Sequence, residues 1–176
     1  MQRHAGITLI EQILVIAIVA VLAAIAMPAL GTLLRRNQVQ TAQWDFIAAL
    51  QHARGMAVTT GRTTHFCPSS DGQQCAGAPR WESGWLIGHA ARSRGERDPA
   101  PTLVRTGYTG ITILGDTGRK LTRFHPDGMA IGSTNTWRFC PVGHPDGALV
   151  VVVSNTGRVR GAPATAEQAA RCAAEH

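Results

Sequence analysis

The stretch from Ile7 to Leu34 constrains this chain more than any other. It holds 28 residues and a single charge, Glu11. As a helix it is about 42 Å long, enough to cross a bilayer core of roughly 30 Å. A six-residue basic leader, MQRHAG, precedes it. No polar, small-residue cleavage region follows the apolar run, which passes through Pro28 toward Arg35 and Arg36. Ordinary signal-peptide removal after the run is therefore not expected, and the only polar, small-residue junction is Gly6–Ile7. Pro28 removes one backbone donor, so a local kink is expected there.

A carboxylate inside a membrane segment is costly and calls for a partner. Cutting after Gly6 exposes an α-amine on Ile7, one helical turn from Glu11, about 6 Å along the axis. That amine neutralises Glu11 within one chain or across two packed chains. The plain alternative is a carboxylate that snorkels at the membrane edge.

Beyond Arg36 the pattern becomes amphipathic. Val39, Ala42, Phe46, Ala49, Leu50, Ala53, Met56 and Ala57 recur at helical spacing, with Gln40, Gln43, Asp45, Gln51 and Arg54 expected on other faces. Thr60-Gly61 supplies the stop. Phe46 and Leu50 are expected in the core, and Trp44 at its edge in preference to a neighbouring subunit. The remainder reads as short strands between turns: Thr63–Cys67, Gly84–Gly88, Thr102–Arg105, Gly110–Leu114, Leu121–His125, Thr136–Cys140, Leu149–Ser154 and Arg158–Gly161. The apolar, β-branched run Ala148–Val153 suits a central strand covered on both sides. Ala91–Pro101 is polar and charged, a loop. The tail from Thr165 reads as helical. Nineteen glycines and few aromatics fit such a turn-rich body better than a helical bundle. Four segments follow: 1–6 a leader, 7–34 the membrane-spanning helix, 35–61 its amphipathic continuation, and 62–176 a β-rich soluble domain.

Four cysteines behind a membrane-targeting segment point to an oxidising compartment. Three pairings are possible for Cys67, Cys75, Cys140 and Cys172, and pairing of neighbours, Cys67 with Cys75 and Cys140 with Cys172, is the preferred one. A zinc set from Cys67, Cys75, Cys140 and His144 is the alternative, disfavoured because no CxxC occurs. No metal or cofactor is expected. The histidines, His65, His89 and His125 among them, are scattered, and Ser69, Ser70 and Ser154 lack any catalytic motif, so an anchored enzyme has no residue in its favour.

Net charge is +6, carried by sixteen arginines and one lysine, Lys120. In the stretch NTGRVRG, Arg158 and Arg160 point to one face of a strand about 6.6 Å apart. That spacing is close to the phosphate repeat of a nucleic-acid strand, and each planar guanidinium grips a phosphate with two hydrogen bonds. Gly157 and Gly161 flank the pair and allow close backbone approach. Arg171 joins the site if the tail folds back. Arg35, Arg36 and Arg54 belong to the stalk and are expected to contribute less. Two like-facing arginines are more often a solvated strand face.

The run GITLIEQILVIAIVAVLAAIAMP resembles the class III leader of type IV pilins and type II secretion pseudopilins, with Ile7 where Phe is usual and Gln12 where Leu is usual. The resemblance implies that a prepilin peptidase cuts after Gly6, that Ile7 is N-methylated, and that Glu11 acts in assembly with other pilins. The segments WDFIAALQHARGMAVTTGR, WESGWLIG, FHPDGMA and VVVSNTGRVR are similar to FimT/GspH-type minor pilins. They imply a pilin-like α+β fold: a long N-terminal helix, half transmembrane and half amphipathic, on a small antiparallel β-sandwich. A GRxR motif in this position is similar to that of FimT-type minor pilins of natural transformation. It implies non-specific DNA capture by Arg158 and Arg160, with the domain periplasmic before assembly and displayed on the pilus afterwards. The alternative is a structural minor pseudopilin of type II secretion, or a pilus-priming subunit, without DNA binding.

A Glu11→Ala variant is expected to insert and be cleaved normally, yet to enter fibres poorly. Immunoblots of membrane and sheared-fibre fractions measure both steps.

Overall fold

A computed structural model describes residues 8–77, 80–91, 93, 98–115 and 118–174. The expected processing positions Gly6 and Ile7 lie outside the described residues, as do residues 92 and 94–97 of the expected loop. Helix α1 spans Leu9–Thr60 and continues through Pro28 without interruption. Thr8 caps it: the hydroxyl accepts the Glu11 N–H at 3.4 Å, and the Thr8 carbonyl accepts the Gln12 N–H at 3.2 Å. Glu11 therefore also stands in the first turn, where a helix favours negative charge. The chain divides into two compact units, Met1–Arg35 and Arg36–His176.

In the first unit the described side chains of α1 are exposed or half-buried throughout. By length and composition this helix is able to cross a membrane. Burial begins at Val39, and that is where the second unit's core starts.

Among the described residues of the second unit, eight strands form two antiparallel sheets. The first contains β1 (Thr64–Pro68), β2 (Gly84–His89), β3 (Leu103–Thr106) and β5 (Thr122–Phe124), in the order β3-β2-β1-β5. The second contains β4 (Ile111–Gly115), β6 (Asn135–Pro141), β7 (Leu149–Val153) and β8 (Val159–Pro163), in the order β4-β6-β7-β8. All eight coincide with the stretches expected from sequence to within about two residues, because turn residues bound each one. β7 is interior, between β6 and β8, as the apolar run requires.

One core joins α1 to both sheets. Phe46 is its hub: the ring stands edge-on to Phe66 at 4.8 Å, Trp137 at 5.2 Å, Phe139 at 5.2 Å and Trp81 at 5.6 Å. Such edge-to-face pairs add about 0.5–1.5 kcal/mol each beyond area burial. Ala42, Ala49, Ala53 and Ala57 on the same face are buried and small, which lets the helix approach the strands closely. Gly61, at φ 62°, ends the helix as the expected left-handed residue.

Two expectations for α1 need correction. Gln43 is buried, and its amide donates to the Val150 carbonyl at 2.8 Å and the Ala162 carbonyl at 3.3 Å. A primary amide is tolerated in the core because its donors meet backbone acceptors of β7 and β8. Trp44 is 60% exposed and does not edge the core. At 100° per residue it lies about 200° from both Ala42 and Phe46, on the opposite side of the helix.

The cysteines pair as preferred: Cys67 with Cys75 and Cys140 with Cys172, each with Cα atoms 5.5 Å apart. The first closes a loop in which the Asp71 carboxylate accepts N–H groups from Gln73 at 2.8 Å and Gln74 at 3.1 Å. Those donors hold the Asp71 pKa below its ordinary value. The second ties helix α2 (Ala166–Ala174) to β6. A capping box starts α2: the Thr165 N–H meets Gln168 Oε1 at 2.9 Å, and the Gln168 N–H meets Thr165 Oγ1 at 3.3 Å. With all four sulfurs in disulfides, no thiolate is left to ligate zinc.

Phe46→Ala is expected to cost the Arg36–His176 unit about 3–5 kcal/mol, the range for a buried aromatic truncation. Urea unfolding of this unit, which carries the whole core cluster and both disulfides, measures it.

Candidate functional site

The β7–β8 hairpin carries the arginine pair, and its turn explains how the pair is aimed. Ser154 and Arg158 flank the loop Asn155-Thr156-Gly157. The Gly157 N–H donates to the Ser154 carbonyl at 2.9 Å, and the Ser154 N–H to the Arg158 carbonyl at 3.1 Å. Gly157 takes φ 73°, the left-handed position that a three-residue hairpin loop places last. Polar side chains brace the corner: Ser154 Oγ lies 2.9 Å from Thr156 Oγ1 and accepts the Arg158 N–H at 3.2 Å.

Register then sets the faces. Val153 opposes Val159, Val152 opposes Arg160, and Val151 opposes Gly161. Directly opposed residues share a face. Val151 and Val153 are buried in the core, and Val159 packs against it. Arg158 and Arg160 therefore point away from the core, both are exposed, and β8 is an edge strand. Among the described residues, neither guanidinium has a hydrogen-bond or carboxylate partner. The period-two geometry keeps them about 6.6 Å apart on one face.

Both glycines have a role in the fold. Gly157 is buried, and a Cβ there would lie 1.9 Å from the Gly128 carbonyl oxygen. A Cβ on Gly161 would lie 2.7 Å from Ile47 Cδ1 and 3.0 Å from Gln43 Nε2, facing α1. Close backbone approach does occur at Gly157, but the approaching backbone is the chain's own. That corrects its expected contact role.

Arg171 does not join the pair. It sits on α2 with its guanidinium 2.7 Å from Glu167 Oε1. Cys172 fastens α2 to Cys140, next to Phe139, which opposes Leu149 at the far end of the hairpin from Val153 and Arg158. Arg54 moves in the other direction. Sequence reading placed it on the stalk, yet its Nε donates to the Gly128 carbonyl at 3.0 Å, and Gly128 packs against Gly157. The Ala130 N–H also donates to the Asn155 carbonyl at 2.8 Å, so the loop after β5 holds the hairpin turn against α1. Only the three-dimensional meeting of these glycines reveals Arg54; no periodicity in α1 marks it.

Elsewhere the titratable groups read as structure. His65 is buried in β1, with Nε2 3.1 Å from the His89 carbonyl and 3.2 Å from Asp98 Oδ2. Burial lowers its pKa against the opposing pull of Asp98, favouring the neutral ring. Among the described residues no cluster of histidine, cysteine and carboxylate side chains fit to hold a metal occurs.

Comparison with known proteins gives this arrangement a context. The family model for type II transport protein GspH matches residues 42–157, from the buried half of α1 to the hairpin turn. Arg158 and Arg160 lie just beyond the matched span. The crystal structure of the type IV minor pilin FimU of Pseudomonas aeruginosa is 26% identical, covering 73% of this chain and 90% of that one with a TM-score of 0.61. The minor pseudopilin EpsH of the Vibrio cholerae type 2 secretion system shares the fold at 14% identity, covering 72% of this chain and 97% of that one with a TM-score of 0.51. No curated protein sequence matches.

Gly157→Ala is expected to destabilise the second unit by about 3 kcal/mol, combining left-handed strain with collision against the Gly128 carbonyl. A lower thermal midpoint by circular dichroism checks this, with Gly143→Ala, where a Cβ meets nothing within 4 Å, as the milder control.

Proposed function

The chain belongs to the GspH family of minor pilins and pseudopilins, structural and non-enzymatic subunits, and on that premise we propose that it binds DNA as a minor pilin of a type IV pilus. The observation that carries this reading is the outward pair of Arg158, at the end of the hairpin loop, and Arg160, on the edge strand β8. Each guanidinium offers a rigid fork that matches a phosphate bidentately. Binding of this kind is independent of base sequence and weakens as salt rises.

The family brings the assembly steps. An apolar N-terminal helix and membership of the pilin family fit anchoring in the inner membrane and later incorporation into a fibre. In the proposed course, prepilin peptidase cuts after Gly6, Ile7 is methylated, and Glu11 finds the amine of a neighbouring subunit. The soluble unit faces the periplasm until the fibre carries it to the surface, where Arg158 and Arg160 meet DNA for uptake in transformation. Trp44, exposed on the side of α1 away from the core, is the proposed contact with an adjoining subunit.

A second reading takes support from the family's own description and from the shared fold of EpsH. In it the chain is a structural pseudopilin of type II secretion, and the arginine pair meets a neighbouring subunit. Deleting the gene and scoring transformation, twitching motility and secretion separately decides between them. Loss of secretion alone overturns the first reading.

The Arg36–His176 unit is expected to retard DNA in a gel. An Arg158→Ala/Arg160→Ala variant is expected to lose most of that shift while keeping its thermal midpoint, and the slope of log K against log salt should fall by about 1.8, the share of two phosphate contacts. Unchanged binding by the double variant removes these residues from the site.

A further inference from the structure

We propose that Arg54 is a third phosphate-contacting residue of this site, so that the surface gripping a phosphodiester backbone is shared between helix α1 and strand β8. The inference rests on reading Arg158 and Arg160 as phosphate contacts, and it adds a residue that sequence reading set aside.

The geometry is specific. Arg54 is exposed, yet one edge of its guanidinium is fixed: Nε donates to the Gly128 carbonyl at 3.0 Å. A Cβ on Gly128 would lie 3.2 Å from that Nε and 3.5 Å from Nη2, and a Cβ on Gly157 would lie 3.1 Å from Nε. The group thus sits against two glycine corners with no side chain between. Gly157 is bonded directly to Arg158, whose Cα is therefore about 3.8 Å from that of Gly157. Fold contacts hold Arg54 beside the start of the arginine pair.

The chemistry follows from what the fixed edge leaves over. A guanidinium has five N–H donors, and Gly128 takes the one on Nε. Both terminal nitrogens keep their donors, and among the described residues no carboxylate forms an ion pair with Arg54. Asp127 precedes Gly128 in the chain, and its Oδ1 accepts the Met129 N–H at 2.9 Å. Anchoring through Nε orients the plane in advance, so less side-chain freedom is lost when a phosphate arrives. A lysine has no second nitrogen to hold the Gly128 carbonyl while presenting a charge. Arg54 reaches the hairpin turn from the α1 side, and Arg158 and Arg160 stand on the outer face of the same turn. Three cations thus flank the turn, a spread of charge that suits an extended anion such as a nucleic-acid backbone passing over it better than an isolated phosphate.

The test uses the full chain in a non-ionic detergent and two short, unrelated DNA duplexes, with binding followed by fluorescence anisotropy over a salt series. Arg54→Ala is expected to weaken both duplexes equally and to lower the slope of log K against log salt by about 0.9. Arg54→Lys is expected to recover the slope with only part of the affinity. Arg54→Gln, whose amide can still donate to Gly128, is expected to keep the thermal midpoint while showing the same loss of slope, which separates charge from folding. Weaker binding with an unchanged slope would make Arg54 a positioning residue only and overturn the proposal, leaving the arginine pair standing. Wild-type chain that binds neither duplex overturns the proposal together with the reading beneath it.

Discussion

Phe46 holds the Arg36–His176 unit together. Its ring meets Phe66 of one sheet and Trp137 and Phe139 of the other, so a single side chain couples α1 to both. The edge-to-face arrangement uses the positive rim of one ring against the negative face of the next. Around it the alanines of α1 keep the helix close, and the Gln43 amide donates to two strand carbonyls, which a wholly apolar face could not do. Upstream of Val39 the same helix presents its apolar side chains outward. Along α1, burial begins at Val39.

The hairpin that presents Arg158 and Arg160 depends on this docking at second hand. Its turn is pinned through Asn155 to Ala130 and through Gly157 to Gly128, and Gly128 is bound in turn by Arg54 of α1. Glycine at both corners is a steric requirement, since a single added carbon at Gly157 would fall 1.9 Å from a carbonyl oxygen. The helix therefore does more than mount the domain. It fixes the orientation of the edge strand, and places a cation of its own beside it. The second disulfide acts at the other end, holding α2 against β6 and keeping Arg171 with Glu167 rather than with the pair.

Much of the fold was legible in the chain itself. The strands lay between turn signals, and the run Ala148–Val153, which holds the interior strand Leu149–Val153, read as central because both of its faces are apolar. Neighbouring cysteines paired as short-loop closure suggests. What misled were residues whose type and position disagree. Gln43 is polar but buried, because its amide found backbone acceptors that no helical period announces. Trp44 is large and apolar but exposed, a fact its angular distance from Phe46 already contained. Gly157 looked like a place for a ligand's backbone and proved to be a place for the chain's own.

Taken alone, the sequence determined the long apolar helix with its lone Glu11, the change to an amphipathic period after Arg36, the strands and their turns, and the spacing of Arg158 and Arg160. These are local properties, set by periodicity and by what glycine, proline and charge allow over a few residues. Tertiary structure alone decided which arginine stands beside the hairpin turn. Arg54 and Gly128 are 74 positions apart in the chain, and their contact exists only because the helix and two loops close on one another. Arg171, much nearer to the pair in sequence, is carried away by a disulfide. Proximity in a folded chain follows from packing and crosslinks, and those depend on the whole domain at once.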